Sequence, residues 1–374
     1  MLLVTQRLYS EEILLFNEYV RNIEFEPTNR CNAACPLCSR SGQFKGGLSE
    51  TVYRSKWRDL DIDVHKHIVE SLNLDKVESL DYGGCYGDPL MHPKFLKMLQ
   101  QGSEASYQEV QTNASLQTKK FWTESAKIDN LRIWFHLDGL EDTNHLYRRL
   151  TDWKKIEKNA KTFLDAGGKA SWVFIVFKHN EHQVEEAREM SKEWGFDEFI
   201  IKKTARQMKE GQEASKKMWT HDGFETFSYE PPENEDYVAE VILNGTTQMD
   251  IDCYSEKRGT YYVACDDRVW PCCVIGKHAF EDRWTWNMDY DQIFKDISFD
   301  TKVDPINNTF NDIIDHYNKR EEDFRLNWEA RNYKHCVNRC GKNATCQKVH
   351  ITTEQGSGSK RYDGWAGPHN LRNL

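Results

Sequence analysis

The chain has 374 residues, with 50 Lys and Arg against 60 Asp and Glu, giving a net charge of −10. That acidic balance argues against broad electrostatic binding to nucleic acid, which needs a basic footprint, and no apolar run is long enough for a membrane span. The first residues mix Arg7, Glu11 and Glu12 among apolar neighbours and do not read as a signal peptide, so a cytoplasmic protein is expected. In that reducing setting its 11 cysteines point to metal binding or catalysis rather than to disulfides.

Residues 1–21 read as an N-terminal extension. From 22 to 205, strand-like runs alternate with amphipathic segments. The predicted strands are Asn22–Thr28, Val77–Gly83, Tyr107–Thr112, Leu131–Leu137, Ala170–Phe177 and Phe196–Lys203. Between them lie the predicted helices Asp63–Leu72, Pro93–Ser103, Gln117–Ala126, Asp152–Ala166 and Glu181–Trp194. Such alternation predicts a parallel α/β sheet with right-handed crossovers. Six repeats are too few for a closed eight-stranded barrel.

Residues 206–245 are polar and include Pro231-Pro232, which reads as a linker. Residues 246–350 hold seven cysteines, and a β-hairpin is expected from Thr260–Ala264 and Val269–Trp270 around a turn at Asp266-Asp267. The stretch 351–374 is Gly/Ser-rich near its start and reads as a tail that is flexible at least in part.

The first predicted strand runs directly into Cys31, Cys35 and Cys38, a C-x3-C-x2-C loop. Three thiolates so close can converge on one soft metal centre. A closed tetrahedral zinc site wants four protein ligands, and an iron–sulfur cluster is usually held by four cysteines. Three cysteines holding a four-iron cluster alone would leave one iron open to another ligand, which suits chemistry rather than scaffolding. Ligands in parallel α/β folds sit at the C-terminal ends of strands, and this loop lies at such an end.

The loop resembles the signature of the radical S-adenosylmethionine (SAM) superfamily, although Leu37 stands where many members carry an aromatic residue. The resemblance implies an α/β fold, a partial (β/α)6 TIM-like barrel. It also implies a [4Fe–4S] cluster on Cys31, Cys35 and Cys38 whose open iron binds SAM. Further motifs carry the likeness. Gly83-Gly84-Cys85-Tyr86-Gly87-Asp88-Pro89 resembles the family's G-x-G-E-P, with Asp88 for Glu. Glycines let a backbone approach a ligand closely, and a carboxylate can accept from the SAM ammonium. An ordinary capped turn gives the same residues. Thr112-Asn113-Ala114 resembles T-N-G, and His136-Leu137-Asp138-Gly139 resembles S-x-D-G. Arg148 and Arg149 follow, where an arginine can pair with the SAM carboxylate in a bidentate fork, although an arginine on a helix is usually solvated. The resemblance thus implies Gly84, Gly87, Asp88, Pro89, Asn113, His136, Asp138 and Arg148 as SAM contacts. Cys85 is given no cluster role, and Asn180 is a further, weaker candidate.

The second cysteine region resembles the auxiliary-cluster domains called SPASM and twitch, a small cysteine-rich α+β domain with a β-hairpin. Asp267 stands where a turn glycine is common. The resemblance implies one auxiliary [4Fe–4S] cluster on Cys253, Cys272, Cys336 and Cys340. Cys273 is a substitute for Cys272, and a second cluster through Cys346 and His350 is the alternative. The expected function is reductive cleavage of SAM and hydrogen abstraction from an unknown peptide or small molecule. An electron donor such as flavodoxin or ferredoxin is implied. A non-catalytic zinc-binding protein and an electron-transfer protein are the rival readings. No catalytic acid, base or radical-relay residue is legible.

Overall fold

The computed structural model describes residues 20–36, 38, 57–83, 85–203, 216–220, 223–227, 230–238, 253, 255, 258–278, 300–319, 351–353 and 360–362. Six parallel strands follow one another in both sequence and space: β1 (Asn22–Phe25), β2 (Ser79–Tyr82), β3 (Gln108–Thr112), β4 (Leu131–His136), β5 (Lys169–Phe174) and β6 (Glu198–Lys202). The crossovers carry α1 (Ile62–Ser71), α2 (Phe95–Gln101), α3 (Lys119–Ser125), α4 (Asn144–Tyr147), α5 (Trp153–Asp165) and α6 (Val184–Trp194). This is the α/β fold with a parallel sheet that the alternation predicts, consistent with a partial barrel.

Two further hairpins flank the six strands. β9 (Thr260–Val263) and β10 (Val269–Trp270) form the expected antiparallel hairpin, and β9 pairs in parallel with β1. At the other edge, β11 (Ile351–Thr353) pairs antiparallel with β6 and with β12 (Lys360–Tyr362). The sheet order is β10-β9-β1-β2-β3-β4-β5-β6-β11-β12. A separate hairpin, β7 (Lys216–Thr220) with β8 (Gly223–Phe227), lies within the polar stretch read as a linker. The β-branched run Ile351-Thr352-Thr353 suits a strand paired on both sides, between β6 and β12. No helix among the described residues is long and apolar enough to cross a membrane.

Side chains alternate between the two faces of a strand. One parity of the sheet is apolar: Ile23, Phe25, Leu80, Tyr82, Val110, Ile133, Phe135, Trp172 and Phe199 share one core with residues from the helices. Helices α1, α2, α3, α5 and α6 bring apolar side chains to that core, as Ile62, Val69 and Ile68 do on α1. The start of α1 is fixed by Asp61, whose carboxylate accepts from the Asp63 N–H at 2.7 Å. Buried in the same core, His65 Nδ1 donates to Gln101 Oε1 at 2.6 Å and Nε2 accepts from the Tyr82 hydroxyl at 3.0 Å. Burial lowers His65 to about 4, so this tautomer stays neutral.

The opposite parity is polar. It carries Glu24, Asp81, Glu109, Gln111 and Lys202, together with a small apolar group of Trp134, Val173 and Ile200 that is separate from the main core. The last helix described on that side, α7 (Cys273–His278), packs Gly276 against the rings of Tyr262 and Trp270. α8 (Phe310–Lys319) joins the outer core instead.

Candidate functional site

The three-cysteine loop emerges from the C-terminal end of β1 and is fastened at several points. The Ala34 N–H donates to the Arg149 carbonyl at 3.0 Å, and the Cys38 N–H turns back to the Cys35 carbonyl at 3.1 Å. Cys35 is buried beside Ala33, Tyr147 and Phe177, with Cys31 and Cys38 packed around that group. Burial pushes the Cys35 thiol up, against the pull of Arg148.

Polar N–H groups aim at these sulfurs. Arg148 Nη1 lies 3.8 Å from Cys35 Sγ, and Asn113 Nδ2 lies 3.8 Å from Cys31 Sγ. The Ala33 N–H also points at Cys31 Sγ, at 3.4 Å. Donors around sulfur favour thiolates and set the potential of a cluster they hold. Among the described residues no three His, Cys, Asp or Glu side chains converge on a single metal ion. A four-iron cluster takes one cysteine per iron, so its ligands need not converge on one point.

Two carboxylates organise the strand ends. Asp138 is fully buried; it accepts from Arg148 Nε at 2.6 Å and from the Ile175 N–H at 2.7 Å. Burial raises its carboxyl, while Arg148 opposes the shift. Arg148 therefore joins the end of β4 to the cysteine loop. Asp88 is also buried, and it accepts from the Thr112 hydroxyl at 2.9 Å, from the Asn113 N–H at 2.9 Å, from Asn113 Nδ2 at 2.6 Å and from the Leu90 N–H at 3.1 Å. It caps the 3-10 turn Pro89–Met91, whose first residue is Pro89. The sequence offers Asp88 to an ammonium, but here its carboxylate is engaged by Thr112 and Asn113 and orients Asn113.

Gly87 sits against β1's end. A Cβ there would collide with the Thr28 carbonyl oxygen, and the next N–H, of Asp88, donates to the Arg30 carbonyl at 2.8 Å. Close approach of these two loops requires glycine at this position. Two positions where the resembled motifs carry glycine hold other residues in the left-handed backbone region: Ala114 has φ 58° and Asp267 has φ 68°. Asp267 adds a contact glycine lacks, because its Oδ1 accepts from the Asp61 N–H at 2.9 Å.

His136 is buried at the end of β4, with its pKa lowered well below the usual range, first by burial and then by Arg148. Asn180 is turned onto main chain, donating to the Asp138 and Ile175 carbonyls at 2.9 and 3.0 Å. Gly84 lies outside the described residues, as do Leu37, Cys336, Cys340, Cys346 and His350.

Of the later cysteines, Cys272 immediately precedes α7 and its Sγ accepts from the Ile275 N–H at 3.4 Å. Cys273 is a free thiol hydrogen-bonded with Cys85 and with Glu24. Cys253 is partly buried, whereas Cys265 is 1% exposed. Burial, with Glu26 nearby, pushes the Cys265 thiol far up.

One organising residue escapes sequence reasoning. Glu26, just beyond β1, is fully buried and accepts from the N–H groups of Cys85 (2.5 Å), Tyr86 (3.3 Å) and Gly87 (2.9 Å) and from the Tyr262 hydroxyl at 2.7 Å. Burial raises it to about 7 against the pull of these donors. Its only signal is the polar alternation Asn22, Glu24, Glu26 along a strand with buried apolar neighbours.

The model of the Radical SAM superfamily matches residues 25–191. A tungsten-containing aldehyde ferredoxin oxidoreductase cofactor-modifying protein of Pyrococcus furiosus is 22% identical over 196 residues, covering 49% of this chain and 51% of that protein. The chain thus spans about half the length of that curated relative. Streptococcus suis SuiB bound to S-adenosylmethionine is 18% identical, with TM-score 0.47, over 73% of this chain and 67% of that one. Native anSMEcpe with bound AdoMet and a peptide is 14% identical, with TM-score 0.47, over 87% of this chain and 89% of that one. The family model supports a Radical SAM domain over residues 25–191, the segment that runs from the end of β1 through the three-cysteine loop into α6.

Proposed function

We propose that this chain is a radical SAM enzyme. Cys31, Cys35 and Cys38 would hold a [4Fe–4S] cluster that leaves one iron for SAM. When reduced, such a cluster supplies the electron that cleaves SAM to methionine and a 5′-deoxyadenosyl radical, which abstracts hydrogen from the substrate. The observation that carries this reading is that Asn113, from the end of β3, and Arg148, after β4, both aim N–H groups at sulfurs of the cysteine loop.

In this reading the chain's own residues prepare the bed for SAM. Glu26 fixes the backbone of residues 85–87, and Gly87 lets that loop lie against β1's end. Asp88 is a positioning residue acting through Asn113 rather than a direct SAM contact. Gly84, Pro89, His136, Asp138 and Arg148 complete the bed. Arg148 is held by Asp138, so its guanidinium is oriented before a carboxylate arrives. An auxiliary [4Fe–4S] cluster on Cys253, Cys272, Cys336 and Cys340 would assist, and a flavodoxin or ferredoxin would supply electrons. The substrate is a peptide or a small molecule.

Anaerobic reconstitution with iron and sulfide tests the metal assignment. Two [4Fe–4S] clusters require about eight irons per chain, and adding SAM should change the electron paramagnetic resonance spectrum of the reduced protein. Stoichiometric zinc with negligible iron would favour the non-catalytic zinc protein instead.

A further inference from the structure

Two thiols outside the three-cysteine loop meet across the molecule. Cys85 lies in the loop that follows β2, and Cys273 is the first residue of α7. They are far apart in sequence, yet both are free thiols and they share a hydrogen bond. The SAM bed uses the backbone of Cys85 and leaves its thiol without a task.

One frame sets both cysteines. The Cys85 N–H donates to Glu26 Oε2 at 2.5 Å, and the same oxygen accepts from the Tyr262 hydroxyl at 2.7 Å. Tyr262 stands on β9 in register with Glu24 of β1. A Cβ at Gly276 would collide with the rings of Tyr262 and Trp270, so glycine at that position lets α7 lie close against the hairpin and bring Cys273 in. Glu24 shares a hydrogen bond with the Cys273 thiol from the other side. A disulfide forms only where the fold already brings two cysteines together, and here two separately anchored elements do so.

The surroundings favour exchange chemistry over metal binding or inert packing. Among the described residues no three His, Cys, Asp or Glu side chains are grouped to hold one metal ion, so Cys85, Cys273 and Glu24 are not a closed metal site. Cys85 and Cys273 are also partly exposed, whereas Cys265 is 1% exposed. Access of this kind is what exchange with a small disulfide requires.

We propose that Cys85 and Cys273 are a redox site that closes to a reversible disulfide, with a small-molecule disulfide such as glutathione disulfide as the oxidant. In two successive exchanges the S–S bond of the reagent breaks and the Cys85–Cys273 bond forms. The two protein sulfurs are oxidised, the reagent is reduced, and the two thiol protons leave with the two glutathione molecules released. The bridge ties residues 85–87 to α7. Only its bearing on SAM rests on the radical SAM reading; the bridge itself does not.

Peptide mapping of the reconstituted holoprotein tests it. After anaerobic treatment with glutathione disulfide, free thiols are alkylated and the protein is digested without reductant. The peptides of Cys85 and Cys273 should be joined in most molecules, with fragment ions placing the bridge on Cys273 rather than on Cys272, and dithiothreitol should release them. Hydrogen exchange at the amides of Cys85, Tyr86 and Gly87 should slow several-fold in the bridged protein, because a cross-link holds the loop against local opening. That slowing should reverse on reduction and be absent in Cys85→Ser. Recovery of both cysteines alkylated, or only as glutathione adducts, would overturn the proposal, as would a bridge from Cys85 to any other cysteine. Cys273→Ser should reconstitute with the iron content of the parent; a loss of about four irons per chain would make Cys273 a cluster ligand and overturn the bridge. The map of the unaltered protein decides even if a variant fails to fold. Absence of 5′-deoxyadenosine formation would instead remove the radical SAM reading and leave the bridge standing.

Discussion

Replacing Glu26 by Gln keeps the shape of the side chain but turns one acceptor oxygen into a donor. Each carboxylate oxygen of Glu26 faces two donors: Oε2 accepts from the Cys85 N–H and the Tyr262 hydroxyl, and Oε1 from the Tyr86 and Gly87 N–H groups. The least costly orientation places the new amide nitrogen toward Cys85 and Tyr262, because the phenol can rotate to accept. The Cys85 N–H cannot, and a buried donor left unsatisfied costs about 1–3 kcal/mol. The remaining N–H bonds also lose their charged acceptor. Relief from burying a charge offsets part of this, since burial already raises Glu26 to about 7. The net expectation is about 2 kcal/mol of destabilisation, read by urea unfolding at a pH above that value. Hydrogen exchange at the amides of Cys85, Tyr86 and Gly87 should accelerate, and SAM affinity should fall. Stability within about 0.5 kcal/mol of the parent, with unchanged protection at those amides, would refute the role given to Glu26.

Arg148→Met strands the buried Asp138 carboxylate and should cost about 3–5 kcal/mol; adding Asp138→Asn should recover part of the loss in the same urea assay. Native His65 resists protonation until about pH 4 whereas the unfolded residue titrates near 6.5, so its stabilising contribution is present above 6.5 and is lost as pH falls toward 4. The stability difference between the parent and His65→Gln should therefore shrink by up to about 3 kcal/mol between neutral pH and pH 4, and a pH-independent difference would contradict the buried neutral ring. Ala114→Gly should change stability by less than about 1 kcal/mol, because relief at positive φ opposes added chain entropy and a lost buried methyl. Ala114→Val, by contrast, should destabilise by about 3 kcal/mol or more through strain and overpacking, as thermal unfolding would show.

The alternation of strands and helices was legible because period-2 and period-3.6 apolar patterns follow directly from which faces reach the common core. Strand ends were less so. The run Ala170–Phe177 reads as one strand, but β5 stops at Phe174 because the Ile175 N–H is given to Asp138 and the Phe177 N–H to Asn180. Side chains at a site divert backbone from the ladder, which hydrophobicity does not record. The short helix Asn144–Tyr147 covers about one turn, too little for a periodic signal. The β9–β10 hairpin was readable from its own residues, whereas its pairing with β1 is a long-range register that no local pattern contains. Cys31, Cys35 and Cys38 announce themselves by spacing. Glu26 does not, because a polar residue on an inward strand face looks like a solvated one until burial is known.

The most direct test of the central claim is 5′-deoxyadenosine formation. Anaerobically reconstituted protein given SAM and dithionite should release it, and Cys35→Ala, which removes one of the three loop thiols, should not. Absence of the nucleoside from iron-loaded parent protein, or its persistence in Cys35→Ala, would contradict the assignment of this loop.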